Sequence, residues 1–291
     1  MKEKHVMPAL LSRLAEIEAK AHDRSTNVIG RDEPRQLFLP GLNEFFRAMP
    51  NHLARSSLFA PVARGPKRIH KGTVLVSRID ATITYWDEQL DESQADVWMQ
   101  AMHAALAKPL GEPVRLNRAE FLRMLGRHTG QYEYAWLHRS MRALTFAMLV
   151  VETTSQGQPK LHVGKTRALH LVDGYDYDDT AQAYTLRIDP RWRDMYSNRE
   201  FALIDWVKRR RFAVHQDMAK ALQRLIATSR DCTQRHDLTW LKLKLEYGGR
   251  MRDFVVALKR AMRELERLEI IAGGQVELSK KGTPQSAWTK L

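Results

Sequence analysis

The chain has 291 residues, a formal net charge of +13 and a single cysteine, Cys232. One cysteine excludes a disulfide framework, and no segment approaches the roughly 20 apolar residues that a membrane-spanning helix needs. The length favours two domains, the apolar content of 44% predicts packed cores, and the charge favours a polyanionic partner such as a phosphate backbone. We expect an intracellular, cytoplasmic protein that has no membrane partner.

The N-terminal part of the chain has one helical pattern followed by less regular sequence. Residues 8–22 have helical apolar spacing, and the prolines and glycines of 23–44 indicate a linker or a docked extension. Residues 61–72 carry four basic side chains and no acidic one. That composition is typical of a solvated loop, and a phosphate-contacting arm is the alternative interpretation.

The next segment alternates strand and helix patterns in a recognisable order. A hairpin is predicted over 73–86, a helix over 92–107, a short helix over 118–125 capped by Asn117, and a long helix over 131–147. A second hairpin is predicted over 148–163. Strands at 168–173 and 183–189 are expected to flank an acidic loop at 173–179. A helix–turn–helix followed by a β-hairpin is typical of a winged helix.

The same order recurs downstream. Helices are predicted over 201–210, 213–229, 238–247 and 250–268, with Gly248 and Gly249 as the turn and 270–278 as the wing. The predicted fold class is therefore α+β, with two tandem winged-helix domains behind an N-terminal extension. The predicted boundaries are 1–72 for the extension and its candidate host-factor peptide, 73–196 and 197–283 for the two domains, and 284–291 for a tail.

Each long helix is predicted to bury one face and to present a basic face to DNA. At about 100° per residue, Leu137, Met141 and Leu144 point inward in the first helix. Arginine and glutamine read guanine and adenine edges bidentately, and the small Ala135 would permit close approach to a thymine methyl group. The candidate DNA contacts of this helix are Gln131, His138, Arg139 and Arg142.

The second long helix has more positive charge. Phe254, Leu258, Met262 and Leu265 are predicted to point inward. The candidate DNA contacts on the opposite face and beyond the wing are Arg252, Lys259, Arg260, Arg263, Arg267, Lys280 and Lys281. The run 208–211 has two interpretations, a phosphate clamp that would include Lys208 and Arg209, or the charged C-terminal end of a helix.

No catalytic constellation, metal site or cofactor motif emerges from the sequence. Gly164, Lys165 and Thr166 match the end of a phosphate-binding loop, but Pro159 occupies the position of its first glycine. The acidic segment 173–179 lacks the glycine and distal glutamate of a calcium loop. We therefore expect a non-enzymatic protein that requires no cofactor.

Several short segments resemble TrfA-type plasmid replication initiators. They are Arg47-Ala-Met-Pro-Asn51, Ala54-Arg-Ser-Ser-Leu-Phe59, Ile83-Thr-Tyr85 and Gly111-Glu-Pro113, and the resemblance spans roughly residues 36–282. It implies two winged-helix domains that bind repeated origin sequences (iterons) and help to open adjacent AT-rich DNA. It also implies a monomer–dimer equilibrium and recruitment of the host replicative helicase and sliding clamp.

The resemblance also points to a clamp-binding peptide. Family members carry Gln-Leu-x-Leu-Phe near this point, and the match here is Gln36, Leu37, Phe38 and Leu39, with Pro40 in place of the final aromatic residue. The alternative is a hydrophobic anchor that docks the extension on the first domain. A plasmid-encoded winged-helix repressor, or autorepressor, is the alternative function for the whole chain.

Overall fold

The computed structural model describes residues 44–62, 67–106, 108–153 and 166–291. The helix predicted at 8–22 and the candidate peptide at 36–40 lie outside these residues. The described residues combine helices with mostly antiparallel sheets, so the predicted α+β class is confirmed. Among them, no helix is long and apolar enough to cross a membrane.

The described chain begins with short strands and one long helix. In order they are β1 (Phe46–Pro50), α1 (Asn51–Arg55), β2 (Phe59–Ala60), β3 (Ile69–Val74), β4 (Ala81–Glu88), β5 (Leu90–Asp91) and α2 (Glu92–Ala105). A capping box starts α2, because Asp91 accepts from the Gln94 backbone N–H and the Gln94 side chain accepts from the Asp91 N–H, both at 2.9 Å.

We call residues 92–187 the first module. After α2 it contains β6 (Val114–Asn117), α3 (Arg118–Met124), α4 (Gln131–Phe146), β7 (Met148–Thr153), β8 (Thr166–His170), β9 (Gly174–Asp178) and β10 (Ala183–Arg187). The predicted cap of α3 is confirmed, since the Asn117 side chain accepts from the N–H groups of Ala119 and Glu120. Its central sheet has the order β6-β10-β9.

A connecting segment follows, made of α5 (Trp192–Met195), a 3-10 turn (Ser197–Arg199), β11 (Phe201–Asp205) and α6 (Trp206–Arg209). The helix predicted over 201–210 is largely wrong, because 201–205 pairs antiparallel with β1. Ala202 and Ile204 are buried while Leu203 is exposed, so the segment alternates with the period of two that strands require.

We call residues 217–290 the second module. It contains α7 (Asp217–Ala227), β12 (Thr233–Asp237), α8 (Leu238–Lys244), α9 (Met251–Arg267), β13 (Ile271–Leu278) and β14 (Pro284–Lys290). Its sheet has the order β12-β14-β13. The segment 284–291, expected to be a tail, instead supplies the central strand β14, because Trp288 anchors it in the core.

The two modules share one chain path. Each runs helix, strand, helix, helix and then a strand pair whose second strand lies beside the first strand of the module. The first module differs by the insertion of β7 and β8 between its last helix and the final strand pair. The inserted strands extend the β3–β4 hairpin into a four-stranded sheet of order β3-β4-β7-β8.

This insertion corrects the sequence interpretation of the first wing. The hairpin at 148–163 was expected to be the wing, but Leu149 and Val151 of β7 are fully buried and pair with β4. The hairpin that matches β13–β14 is β9–β10, which includes the segment expected to be an acidic loop. In β9, Tyr175 and Tyr177 alternate with the more exposed Asp176 and Asp178, which is a strand period.

Two hydrophobic cores are joined by buried charges. The first core extends from Ala48 to Trp206 and the second from Ala219 to Trp288. Between them lies a set of interacting side chains, which we call the buried ion cluster: Glu92, Asp96, Arg209, Lys220 and Arg224.

The buried ion cluster connects α2, α6 and α7. Glu92 accepts from Arg224 and, at 2.8 Å, from Arg209, while Asp96 accepts from Arg209 at 2.7 Å and Lys220 at 2.8 Å. Burial raises the pKa of Glu92, but Arg224 and Arg209 outweigh that effect and hold its pKa below the ordinary value. The two modules are thus held together by ion pairs that are largely shielded from water.

Candidate nucleic-acid interface

Helix α9 buries the face that the sequence predicted. Phe254, Leu258, Met262 and Leu265 are all at most 1% exposed and pack in the second core. Since each residue turns the helix by about 100°, the opposite face carries the polar side chains. The long basic helix is therefore amphipathic in the predicted sense, and its charged face lies outward.

Four cations on that outward face have no acidic partner in the part of the chain that the structure describes. Arg252, Lys259, Arg260 and Arg263 are exposed, and none of them forms a salt bridge there. Arg267 differs, because Glu264 holds its guanidinium at 2.7 Å and the Arg211 carbonyl accepts from it at 2.8 Å. The available positive charge of α9 therefore lies in the stretch from 252 to 263.

An apolar side chain sits among these cations. Val256 is 64% exposed, and its helical position falls between those of Arg252, Arg260 and Arg263. Sequence reasoning missed this residue, although its position opposite Phe254 and Leu258 was visible in the helical period. An exposed valine among arginines is suited to contact a thymine methyl group in a major groove.

The hairpin after α9 carries further positive charge at its tip. Lys280 and Lys281 are exposed and occupy the turn between β13 and β14, so they lie within the hairpin, not beyond it. The Ser279 N–H donates to the Thr283 carbonyl at 2.8 Å and closes the turn. Gly282 has a φ of +78°, in the left-handed region that glycine adopts more readily than residues with a side chain.

Helix α4 also presents the predicted face. Leu137, Met141 and Leu144 are fully buried, whereas the candidate contacts lie exposed on the other side. The exposed candidates are Gln131, His138, Arg139 and Arg142. Arg142 lies 5.8 Å from the ring centre of the exposed Phe146, so part of its charge faces an aromatic ring.

A shallow groove of about 530 Å³ runs between α4 and the β9–β10 hairpin. His138 contacts the rings of Tyr175, Tyr177 and Tyr184, with ring-centre distances of 5.7, 6.0 and 6.2 Å. Arg118 stacks over Tyr134 at 3.8 Å and donates to the Tyr177 hydroxyl at 2.6 Å.

The sequence indicated His138 and Gln131 but not the aromatic partners of this groove. The alternation of tyrosine and aspartate in β9 was the signal that had been available. With one arginine held by tyrosines and Ala135 at the groove edge, the lining offers aromatic and small apolar contacts more than charge. The first module therefore differs from the second, whose face is mainly cationic.

Lys208 and Arg209, the two candidates from the 208–211 run, lie apart from the other candidates. Arg209 is 1% exposed and belongs to the buried ion cluster, so its assignment to DNA is wrong, because a buried guanidinium cannot reach a phosphate. Lys208 is half-buried and donates from Nζ to the Glu269 carbonyl at 2.8 Å. Both side chains instead join the connecting segment to the second module.

Two residues of the segments that resemble TrfA-type initiators, Arg47 and Asn51, make buried contacts. Arg47 is buried, donates to Gln100 at 2.9 Å and lies 4.9 Å from the Trp206 ring centre. The Asn51 side chain donates to Glu200 at 3.3 Å. Gln36, Leu37, Phe38 and Leu39 lie outside the described residues. No group of acidic, histidine or cysteine side chains in the described ranges has the arrangement of a metal site.

Two crystal structures of domains 2 and 3 of RctB are similar to this chain. One aligns with a TM-score of 0.49 and 13% identity, and the alignment covers 78% of this chain and 94% of that chain. The other aligns with a TM-score of 0.47 and 13% identity, covering 82% and 96%. No protein-family model and no curated protein sequence matches the chain.

Proposed function

We propose that the chain is a sequence-specific, non-enzymatic DNA-binding protein in which each module is a winged helix. Helices α4 and α9 would enter major grooves, and the hairpins β9–β10 and β13–β14 would be the wings. The shared chain path of the two modules supports this proposal, since each places an exposed helix face beside a hairpin. A major groove admits one α-helix, so two modules would read two segments of duplex.

The observation that carries the proposal is the unpaired cationic face of α9. Arg252, Lys259, Arg260 and Arg263 form no salt bridge with a described residue, so phosphates or guanine edges can take up their donors. Counterions are released for each phosphate that such a cation neutralises. The slope of log affinity against log salt concentration then becomes steeper by about 0.9. The lysines at the hairpin tip would add contacts to the backbone.

The biological role that we infer is initiation of plasmid replication at iterons. It is supported by the resemblance of Arg47-Ala-Met-Pro-Asn51 and its neighbouring segments to TrfA-type initiators, together with a two-module arrangement suited to repeated sites. The partners that this role implies are origin DNA, the host sliding clamp and the replicative helicase. Dimer formation would then regulate the protein and contribute to plasmid copy control.

Footprinting on the DNA that flanks the gene tests the proposed function. Wild type should protect regularly spaced repeats beside an AT-rich tract. Arg263→Ala should lose protection, whereas Arg191→Ala should keep it, because the exposed Arg191 is already paired with Asp189. One protected operator would favour the repressor and contradict initiation. An absence of sequence-dependent protection would overturn the DNA-reading proposal itself.

The clamp interaction is tested separately. Replacing Leu37 and Leu39 by alanine removes two apolar side chains from the candidate peptide, and an extended peptide binds a groove through such anchors. We expect the double variant to bind duplex DNA as wild type does and to lose the clamp in a pull-down. Equal retention of the clamp, or unfolding of the variant, would favour an intramolecular anchor instead.

A further inference from the structure

A cleft of about 790 Å³ lies between the two cores, and none of its lining residues belongs to α4 or α9. The first core contributes α1, the turn between β3 and β4, and the 3-10 turn at 197–199. The second core contributes residues 228–230, which follow α7, and Trp240 of α8. Four arginines line the cleft, one from each of four different segments: Arg55, Arg78, Arg199 and Arg230.

The positive charge of the cleft exceeds its negative charge. The carboxylates of Asp80 and Glu200 are both held by Arg78, at 3.0 and 2.6 Å. Arg55, Arg199 and Arg230 form no salt bridge with any described residue, and Arg199 and Arg230 are exposed. Two carboxylates among four guanidinium groups leave an excess of positive charge, so a bound anion would reduce the repulsion between the arginines.

The positive charge of the cleft also contributes to the pKa shifts of neighbouring side chains. Burial lowers the pKa of Arg55, the charge of Arg78 lowers it further, and the carboxylates of Asp80 and Glu200 offset these effects only in part. Burial, followed by Arg55 and Lys244, also lowers the pKa of His236 to about 4. His236 stacks on Trp240 with 5.5 Å between ring centres, so an uncharged ring supports the one tryptophan in the cleft lining.

Hydrogen bonds fix two polar side chains at the cleft wall. Asn51 is buried and donates from Nδ2 to Glu200 at 3.3 Å. The Thr228 hydroxyl accepts from Arg55 at 3.3 Å and donates to the Leu225 carbonyl, so it fixes that guanidinium at the cleft wall. The arginines are therefore partly organised before any ligand arrives.

We propose that this cleft between the two cores binds phosphate groups of a nucleic-acid strand. Guanidinium groups from several segments suit phosphate oxygens, which accept two parallel hydrogen bonds from one arginine. Positive grooves that include an aromatic side chain are typical of sites that follow a strand backbone. The phosphates come either from a duplex or from a single strand.

The inference rests on the proposed function for its partner, and it locates contacts outside the two basic helices. Its test compares three double variants of the full chain. Arg199→Ala with Arg230→Ala removes two cleft charges, and Arg199→Lys with Arg230→Lys keeps them. Arg191→Ala with Arg193→Ala is the matched control, since it removes two exposed arginines that are already paired with Asp189 and Asp194.

Binding is measured by fluorescence anisotropy over a series of salt concentrations. The probes are a labelled duplex of arbitrary sequence, its labelled single strand, and ATP as competitor. For each phosphate that the cleft no longer neutralises, the slope of log affinity against log salt should fall by about 0.9 with duplex or about 0.7 with single strand. The alanine pair should show this decrease, whereas the lysine pair and the control should retain the wild-type slope.

The probe whose slope changes identifies the source of the phosphate. The inference would be overturned if the alanine pair left the slope unchanged with both the duplex and the single strand. An equal change of slope in the control pair would also overturn it. Loss of ATP competition alone would also overturn it, because it would indicate a mononucleotide site. The proposed function fails independently, if wild type binds the duplex yet no sequence is preferred and Arg263→Ala changes nothing.

Discussion

Replacing Glu92 by glutamine should destabilise the protein strongly, because it leaves two buried arginines without their shared carboxylate. Glu92 and Arg224 are 0% exposed and Arg209 is 1% exposed. Glu92 accepts three hydrogen bonds from these guanidiniums. After the substitution Arg209 keeps Asp96, whereas Arg224 keeps only uncharged partners, the Phe59 carbonyl at 2.9 Å and the Met49 sulfur at 3.8 Å.

The magnitude follows from the cost of an uncompensated buried charge. Removing one partner of a buried pair costs about 3–5 kcal/mol. Glutamine keeps one oxygen acceptor, and Arg209 keeps a carboxylate, so we expect the lower end, about 3 kcal/mol, for Glu92→Gln. The pKa of Glu92 is lowered in the folded protein, so its contribution is present above the pKa of the unfolded chain. It is lost as the pH falls through the folded pKa.

Urea unfolding measures this prediction, followed by circular dichroism and by tryptophan fluorescence. The control is Glu277→Gln, whose carboxylate forms an exposed pair with Arg235 at 3.3 Å and should contribute little because water screens it. The difference between wild type and Glu92→Gln should also shrink toward acid pH. If Glu92→Gln loses no more stability than Glu277→Gln at neutral pH, the cluster does not hold the two cores together.

Three further predictions concern the basic helices and a buried histidine. Arg263→Ala should cost about 1–3 kcal/mol of specific DNA binding with the fold intact, because its unpaired guanidinium is placed to reach a base edge; an unchanged titration would contradict this. Replacing Arg139 and Arg142 together by alanine should reduce the slope of log affinity against log salt by about 0.9 for each phosphate that α4 no longer neutralises. An unaltered slope would mean that neither arginine contacts a DNA phosphate. Burial lowers the pKa of His236 to about 4 in the folded protein. Between about pH 6.5 and 4 the unfolded chain therefore binds a proton on this side chain and the folded chain does not. Stability should therefore fall between about pH 6.5 and 4, and the urea midpoint of His236→Gln should fall less steeply; parallel curves would refute that assignment.

The sequence predicted best where a local pattern was long. The 3.6-residue period placed α4 and α9 within one residue of their observed bounds and identified their buried faces. The Asn117 cap was predictable because capping depends on a side chain and the N–H groups just after it. The short apolar run at 201–210 was assigned to a helix, because strand and helix patterns are hard to separate over so few residues.

The amino-acid sequence by itself determined the α+β class and the two amphipathic basic helices, because both depend on charge and on apolar periodicity within one segment. Only the tertiary structure decided which arginines are available. Arg209 and Arg263 both lie in helices. Arg209 is buried in ion pairs with Asp96 and Glu92, which lie 113 and 117 residues earlier in the chain, whereas Arg263 is exposed. The pairing of β9 with β10, and the cleft that gathers Arg55, Arg78, Arg199 and Arg230, likewise require contacts between distant segments, which no local pattern encodes.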